Sequence, residues 1–431
     1  MPNKLTVMAW NVRTMGAYKE IVGELQGNVV AMFIENLMRA KDVDVLVIQE
    51  LKKNGVSIIN KIATVLNKAK DKTSDWDGYF VAAGAVSGSN SNDGSEELEK
   101  FNKVNGQEGY GIICRTSGNV KVTAFKLRMK GLDFTRDESN SIEIKPIIGE
   151  DYSHDVPFPL TSGTEVTTKK RGRGKDDTDD PRVDKIEKMN GLAVDSVRRP
   201  VGIDIDFADA KFCFLVYHCP ENHGNPALGA NCTALLEEVA NPKKYPNVIV
   251  AGDYNFHDSS DINKQLSKSL GDSFIAGTLR TKTLFLDSSV RFENDNYVKL
   301  VPLDVLFYRF TKKSDSIVST VVDVPSLFFQ NKKGEPTMTQ FGDLVKTNST
   351  EFVSKIYDLT DTQLPGEVKN AFKMAGTTNK SDLKSLIIGG GKRKVTSFDS
   401  NTAALFYRAF ISDHLPVILE ILVPSDIQGI I

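Results

Sequence analysis

The stretch 247–256 reads NVIVAGDYNF and sets two polar groups, Asp253 and Asn255, at the end of an apolar run. An i, i+2 pair leaving an extended segment can point both side chains the same way. A carboxylate beside a carboxamide at a strand end can activate a water and hold an oxyanion. The purely structural alternative is a strand followed by an Asx turn.

Other apolar runs end in the same style. Asn11 follows Leu5–Trp10, Glu50 follows Val43–Ile48, His218 follows Phe212–Tyr217, and Asp413 and His414 follow Ala403–Ile411. Each has an ordinary explanation when taken alone. Asn11 could open a turn, Glu50 could be an exposed helix-start acid, and His218 and His414 could be hydrogen-bonded core histidines. Asp304 is harder to set aside. It lies inside VPLDVLFY, where a carboxylate is part-buried and needs a partner. His414 is the natural one, and such a pair orients an imidazole and favours its charged form. Together these groups suit attack on a phosphoester. That reaction needs oxygen ligands for a hard cation, a placed water, and donors aimed at the pentacoordinate oxygens. No covalent nucleophile is required.

The elements that must position them alternate. KLTVMAW (4–10) reads as a strand, 18–40 as a helix, VDVLVI (43–48) as a strand and 55–70 as a helix, which points to an α/β core. Residues 78–84 read as a strand. GYGIICR (109–115) and NVKVTAFK (119–126) read as a β-hairpin around Thr116-Ser117-Gly118. The strands resume with RRPVGIDIDF (198–207) and FCFLVYH (212–218), followed by a helix over 226–240. VPLDVLFYR (301–309), AALFYRAFI (403–411) and VILEIL (417–422) complete the strand set. Residues 87–108 are polar and turn-rich and read as a surface loop. Two stretches, about 128–196 and 311–400, break the rhythm as insertions in a single domain spanning 1–431. The first contains TKKRGRGKDDTDDPR (168–182), a solvated charge run whose basic half is a secondary candidate for phosphate contact.

With 431 residues, 40% of them hydrophobic and 26% charged, the chain can bury a sizeable core. A net charge of −2 supplies no global attraction to nucleic acid or membrane. This weakens a non-specific nucleic-acid binder but not a nuclease, whose acidic metal site offsets a basic substrate surface. Cys114, Cys213, Cys219 and Cys232 form no CxxC pair and no zinc spacing with the five histidines, so free thiols in a reducing compartment are expected. The chain enters a strand at once and has no transmembrane segment, that is, no apolar run of about 18 residues. A soluble, cytoplasmic protein is expected, without excluding delivery elsewhere by another route.

Taken in order, Trp10-Asn11, Gln49-Glu50, Gly109-Tyr110-Gly111, His218, Gly252-Asp253-Tyr254-Asn255, Leu303-Asp304 and Ser412-Asp413-His414 resemble the endonuclease/exonuclease/phosphatase superfamily, the DNase I-like proteins. The resemblance spans residues 6–417. It implies an α/β four-layer sandwich of two packed mixed β-sheets flanked by helices, with the site where strand-end loops of both sheets meet. It also implies phosphoester cleavage with a divalent metal, Mg2+, for which Mn2+ or Ca2+ can substitute. By that resemblance Glu50 binds the metal with Asn11 nearby, and Asp413 helps with it or with a second cation. Asp253 orients or deprotonates the attacking water, and Asn255 and His218 hydrogen-bond the phosphate. His414, held by Asp304, is a second acid/base or phosphate-contacting group.

RRPVGIDI (198–205), VYHCPENHGNPA (216–227) and AGDYNFH (251–257) are similar to the DNase I and cytolethal distending toxin B-subunit branch. There an arginine before the proline contacts substrate phosphate, and both Arg198 and Arg199 fit. The implied function is a Mg2+-dependent phosphodiesterase on nucleic acid, a DNA endonuclease first. One alternative is a phosphatase or phosphodiesterase on a lipid headgroup or other small phosphoester, for which VVDVPSLFFQ (321–330) is the only candidate membrane-contacting loop, though its composition reads first as core. The other is a catalytically inactive interaction module on the same fold.

Overall fold

The computed structural model describes residues 3–15, 33–51, 55–68, 75–82, 109–127, 132–136, 142–146, 158–159, 200–207, 209–219, 233–234, 236–254, 267–268, 270–277, 289–293, 297–301, 303–310, 317–324, 407, 411–412 and 414–423. The first strands are β1 (Asn3–Met15), β2 (Val45–Leu51), β3 (Trp76–Ala82), β4 (Gly109–Arg115) and β5 (Val120–Leu127). They are followed by β6 (Leu132–Arg136), β7 (Ile142–Pro146), β8 (Phe158–Pro159), β9 (Val201–Phe207), β10 (Ala210–Val216) and β11 (Val248–Asp253). The last are β12 (Ile275–Ala276), β13 (Ser289–Glu293), β14 (Tyr297–Val301), β15 (Asp304–Arg309), β16 (Ile317–Val321) and β17 (Val417–Val423). The described helices are α1 over 33–40, α2 (Gly55–Lys68) and α3 (Glu237–Ala240).

The strands form a seven-stranded sheet in the order β16-β17-β1-β2-β4-β3-β8 and a six-stranded sheet in the order β12-β15-β11-β10-β9-β5, with small ribbons β13-β14 and β6-β7. Both large sheets are mixed. In the first, β1 runs parallel to β2, and in the second β10 runs parallel to β11, while the other pairings are antiparallel. Residues next to one another on a strand show how the sheets pack. Trp10 lies 6.3 Å from Phe33 of α1, while Asn11 reaches Asp253 of the second sheet. On β4, Tyr110 reaches the backbone of His218, and a Cβ at Gly111 would strike Ile59 of α2 at 2.3 Å. The second sheet therefore covers one face of the first, and helices cover the other.

Composition explains the layers. Val45, Leu46, Val47 and Ile48 of β2 are all buried, because a central strand covered on both faces must be apolar throughout. In β9 the buried Ile203, Ile205 and Phe207 alternate with half-buried Asp204 and Asp206. In α2, Ile59, Ile62, Ala63 and Leu66 are buried at helical spacing. Fully buried side chains such as Phe214, Phe307 and Ile249 each contribute roughly 2 kcal/mol by leaving water.

Two strand expectations are corrected. Strands β4 and β5 do not form a hairpin: β4 pairs with β2 and β3 in one sheet, and β5 pairs with β9 in the other. The turn at 116–119 carries the chain from sheet to sheet. Tyr407 and Ile411 are not in a strand, since Ile411 N–H donates to the Tyr407 carbonyl at 2.8 Å, a helical turn. The insertions also contribute to the main sheets. Strand β16 pairs with β17, and β8 pairs with β3. The described part of the apolar stretch 321–330 is core, with Val321, Val322 and Val324 buried. Cys114, Cys213 and Cys219 are buried free thiols. No helix among the described residues is long and apolar enough to cross a membrane. The charge run 168–182, the loop 87–108, residues 18–32 and Cys232 lie outside the described residues.

Candidate active site

The parallel pairs β1/β2 and β10/β11 finish at the same end of the two sheets, and β15 and β17 begin there. The Cα register sets Asn11 beside Gln49, and Asp253 beside Asp304. Strand direction alone thus collects Asn11, Glu50, His218, Asp253, Asp304 and His414.

Local irregularities aim them. Between β2 and β4, Ile48 pairs with Gly111 and Leu51 with Gly109, so Gln49 and Glu50 together oppose Tyr110 in a β-bulge. Glu50 has φ +59°, a left-handed backbone that costs a non-glycine residue about 1 kcal/mol or more. In a regular strand these neighbours would face opposite ways. Here the side chains of both reach groups of the second sheet. At the end of β11, Gly252 has φ +132°, and a Cβ there would lie 2.1 Å from the Tyr217 carbonyl oxygen. Only glycine lets β11 approach the segment carrying His218 this closely.

The side chains interlock. Asn11 Nδ2 donates to Glu50 Oε1 at 2.9 Å and to Asp253 Oδ2 at 2.9 Å. His218 Nε2 lies 3.3 Å from Glu50 Oε1 and 3.8 Å from Asp253 Oδ2. His414 Nδ1 is 2.7 Å from Asp304 Oδ2, and its Nε2 is 3.6 Å from Asp253 Oδ2. Asn11, His218, Asp253, Asp304 and His414 are buried, whereas the Glu50 side chain keeps 15% exposure. Glu50 is thus the member of the set that solvent reaches most readily.

The surrounding backbone is pinned by polar side chains. The His218 N–H donates to the Tyr110 hydroxyl at 3.1 Å, and the Asp253 N–H donates to Gln49 Oε1 at 3.1 Å. Ser412 Oγ donates to the Asn11 carbonyl at 2.6 Å and accepts the His414 N–H at 3.0 Å. The His414 carbonyl takes the Trp10 indole N–H at 2.9 Å and the Tyr407 hydroxyl. Trp10, Tyr110, Gln49 and Ser412 stand within the sequence motifs, but their supporting contacts are visible only in three dimensions. Tyr407 stands outside them, and no sequence signal singles it out.

Two overlapping groups have the chemistry of a cation site: Glu50, His218 and Asp253, and Asp253, Asp304 and His414, each with ligating atoms within 4.8 Å of one another. Three carboxylates in one largely buried cluster repel one another, and a hard divalent cation relieves that repulsion with the oxygen donors it prefers. The residues present fit a hard divalent cation. Asn255, Asp413, Arg198 and Arg199 lie outside the described residues.

No family model matches the sequence, and no curated protein matches it. Among solved structures, the fold is similar to truncated TDP2 of Caenorhabditis elegans, at 10% identity over 97% of this chain and 98% of that one, with a TM-score of 0.41. It is similar to an endonuclease/exonuclease/phosphatase family protein of Bacteroides thetaiotaomicron, at 12% identity over 98% and 99%, with a TM-score of 0.40. TDP2 of D. rerio complexed with a single-strand DNA product matches at 14% identity over 74% of this chain and 90% of that one, with a TM-score of 0.39. These likenesses concern the fold and say nothing of the chemistry.

Proposed function

We propose that the chain is a divalent-metal-dependent hydrolase of phosphodiester bonds, acting on nucleic acid and on DNA first. The observation that carries this is the convergence of two imidazoles on Asp253, whose carboxylate is tied through Asn11 to Glu50. The motif order described above supports the choice of a nucleic-acid phosphodiester.

A cation held by Glu50, with Asp253 beside it, would supply charge neutralisation to the phosphate oxygens. The chain's own residues do the rest. Asn11 fixes the relative position of the Glu50 and Asp253 carboxylates. Asp253 orients the attacking water and takes its proton. An ionised Asp304 can only accept, so the proton on the His414 side of that contact sits on Nδ1. This sets Nε2 toward Asp253 as the atom that gives or takes a proton. His218 Nε2, on the other side of Asp253, donates to a phosphate oxygen. Asn255 and Asp413 follow Asp253 and precede His414 in sequence, and they take the phosphate-contacting and cation-supporting roles. Arg198 or Arg199, preceding β9, takes a phosphate further along the strand.

The buried positions of Val321, Val322 and Val324 remove the described part of the one sequence segment offered as a lipid-contacting loop. The test is Mg2+-dependent turnover of supercoiled plasmid beside an inositol phosphate. Plasmid cleavage that Asp253→Asn abolishes supports the proposal. Intact plasmid with turnover of the inositol phosphate replaces it with the small-phosphoester reading. Inertness toward both favours the interaction module.

A further inference from the structure

Gln49 has an unusual position for an amide. Its side chain is fully buried, and Nε2 meets no acceptor among the described residues. The orientation of the amide is not ambiguous, because Oε1 accepts the Asp253 N–H at 3.1 Å and an NH2 group could not. Burying an amide donor without a partner is costly, and a thioether or alkyl side chain would fill the same space without that cost. The amide at this position is therefore accounted for by what Oε1 does.

The second sheet shows what that is. The paired residues of the β10/β11 ladder end at Val216 and Ala251. Asp253 lies two residues beyond, after Gly252 with its φ of +132°. There the Cys219 N–H donates to the Asp253 carbonyl at 2.8 Å, and Asp253 stays opposite Asp304 of β15. It is the Asp253 N–H that looks outside the two ladders for its partner, and it is met by a side chain from the other sheet. The bulge at Gln49 and Glu50 is what lets this side chain and the Glu50 carboxylate both reach the second sheet. A glutamate at position 49 would also accept the N–H, but it would add a fourth carboxylate to Glu50, Asp253 and Asp304. An amide accepts without adding charge.

We propose that Gln49 is a positioning residue: its Oε1 fixes the main chain of Asp253, and through it the carboxylate on which His218 and His414 converge. The catalytic consequence rests on the hydrolase proposed above, whereas the positioning does not.

The test uses the full chain with Gln49→Met, which matches length and lacks the acceptor, and Gln49→Glu, which keeps an acceptor. Amide hydrogen exchange is read at Asp253 and at the ladder residues Val250 and Ala251. In Gln49→Met the Asp253 amide should exchange at least about tenfold faster while the ladder amides keep their rates. In Gln49→Glu it should stay slow. In plasmid turnover, Gln49→Met should lower kcat by about 10- to 100-fold and leave KM within about threefold, the mark of lost alignment rather than lost binding. Wild-type exchange at Asp253 in Gln49→Met overturns the proposal, and so does faster exchange with unchanged kcat. If Gln49→Met does not fold, fast exchange at Asp253 in Gln49→Glu overturns it. If the wild-type protein turns over no phosphoester, the hydrolase proposal fails, and the positioning role stands or falls on the exchange rates alone.

Discussion

Asp304 and His414, 110 residues apart in the chain, meet at 2.7 Å at the point where the two sheets come together. Asp304 opens β15 of the second sheet, and His414 precedes β17 of the first. Their contact is therefore both a tie between sheets and an orienting device for one imidazole. His414 is further held through its carbonyl by Trp10 and Tyr407, and through its N–H by Ser412. With the backbone clamped and Nδ1 engaged, Nε2 has one direction to face.

Replacing Asp304 with Asn leaves shape nearly unchanged and removes the charge that selects Nδ1–H. Asp304→Asn is expected to lower kcat on plasmid by about 100-fold or more, the usual worth of a positioned acid/base, with little change in KM. Steady-state kinetics on the purified variant measures this. A kcat within about twofold of wild type would mean that the imidazole orientation is not used.

The Asn11 amide is the neutral donor between two carboxylates, at 2.9 Å from each. Asn11→Asp would replace donation with repulsion, at a cost of roughly 3 kcal/mol or more for an uncompensated buried charge. The expected result is a lowered melting temperature in chelator that millimolar Mg2+ or Mn2+ largely restores. The wild-type protein is expected to gain a smaller increment from the same ions, because binding to the folded state alone stabilises it. Equal melting curves with chelator and with either ion, in both proteins, would argue against a cation site at Glu50 and Asp253.

Much of this site is legible in the sequence, because chemistry leaves local marks. A carboxylate inside the apolar run VPLDVLFY demands a partner, and the lone histidine of SDHLPV supplies it. Polar residues that end buried strands stand out against the apolar run before them, which makes Asn11, Glu50, His218 and Asp253 visible. What escapes a reading of the sequence depends on remote pairing. The turn after β4 has hairpin composition, yet the partner of β5 is β9, which begins only at Val201. Tyr407 sits in a β-like string but turns helically, with its ring 6.5 Å from that of Phe33. The supporting role of Gln49 is hidden for a third reason. Strand alternation would send Gln49 and Glu50 to opposite faces, and nothing local announces the bulge that brings both to the second sheet.

At the far end of the first sheet, Asp44 precedes β2, accepts the Thr6 N–H at 2.8 Å, and sits 3.3 Å from Arg115. Burial pushes its carboxyl up from 3.8 to about 6, against the opposing pull of the Thr6 bond and the Arg115 guanidinium. A value raised in the folded state means that the folded chain holds this proton more tightly than the unfolded chain. The resulting stability is complete below about 3.8 and is lost as pH rises through about 6. At ~1.4 kcal/mol per pH unit the full change is about 3 kcal/mol. Asp44→Asn keeps an oxygen for the Thr6 N–H and cannot titrate. Urea unfolding midpoints between about pH 4 and 6 should therefore change differently with pH in the variant and the wild type. Parallel curves would show that Asp44 titrates normally.

The proposed role of Asp253, with Glu50 and the two imidazoles around it, is cleavage of a phosphodiester with a divalent cation. Conversion of supercoiled plasmid to the nicked form tests it most directly, with wild type and Asp253→Asn compared in Mg2+ and in excess chelator. Nicking by wild type in Mg2+ alone, and by neither protein in chelator, is the expected result, with Asp253→Asn slower by a factor on the order of 1,000 or more. Equal nicking by wild type and Asp253→Asn, or nicking that survives the chelator, would contradict it.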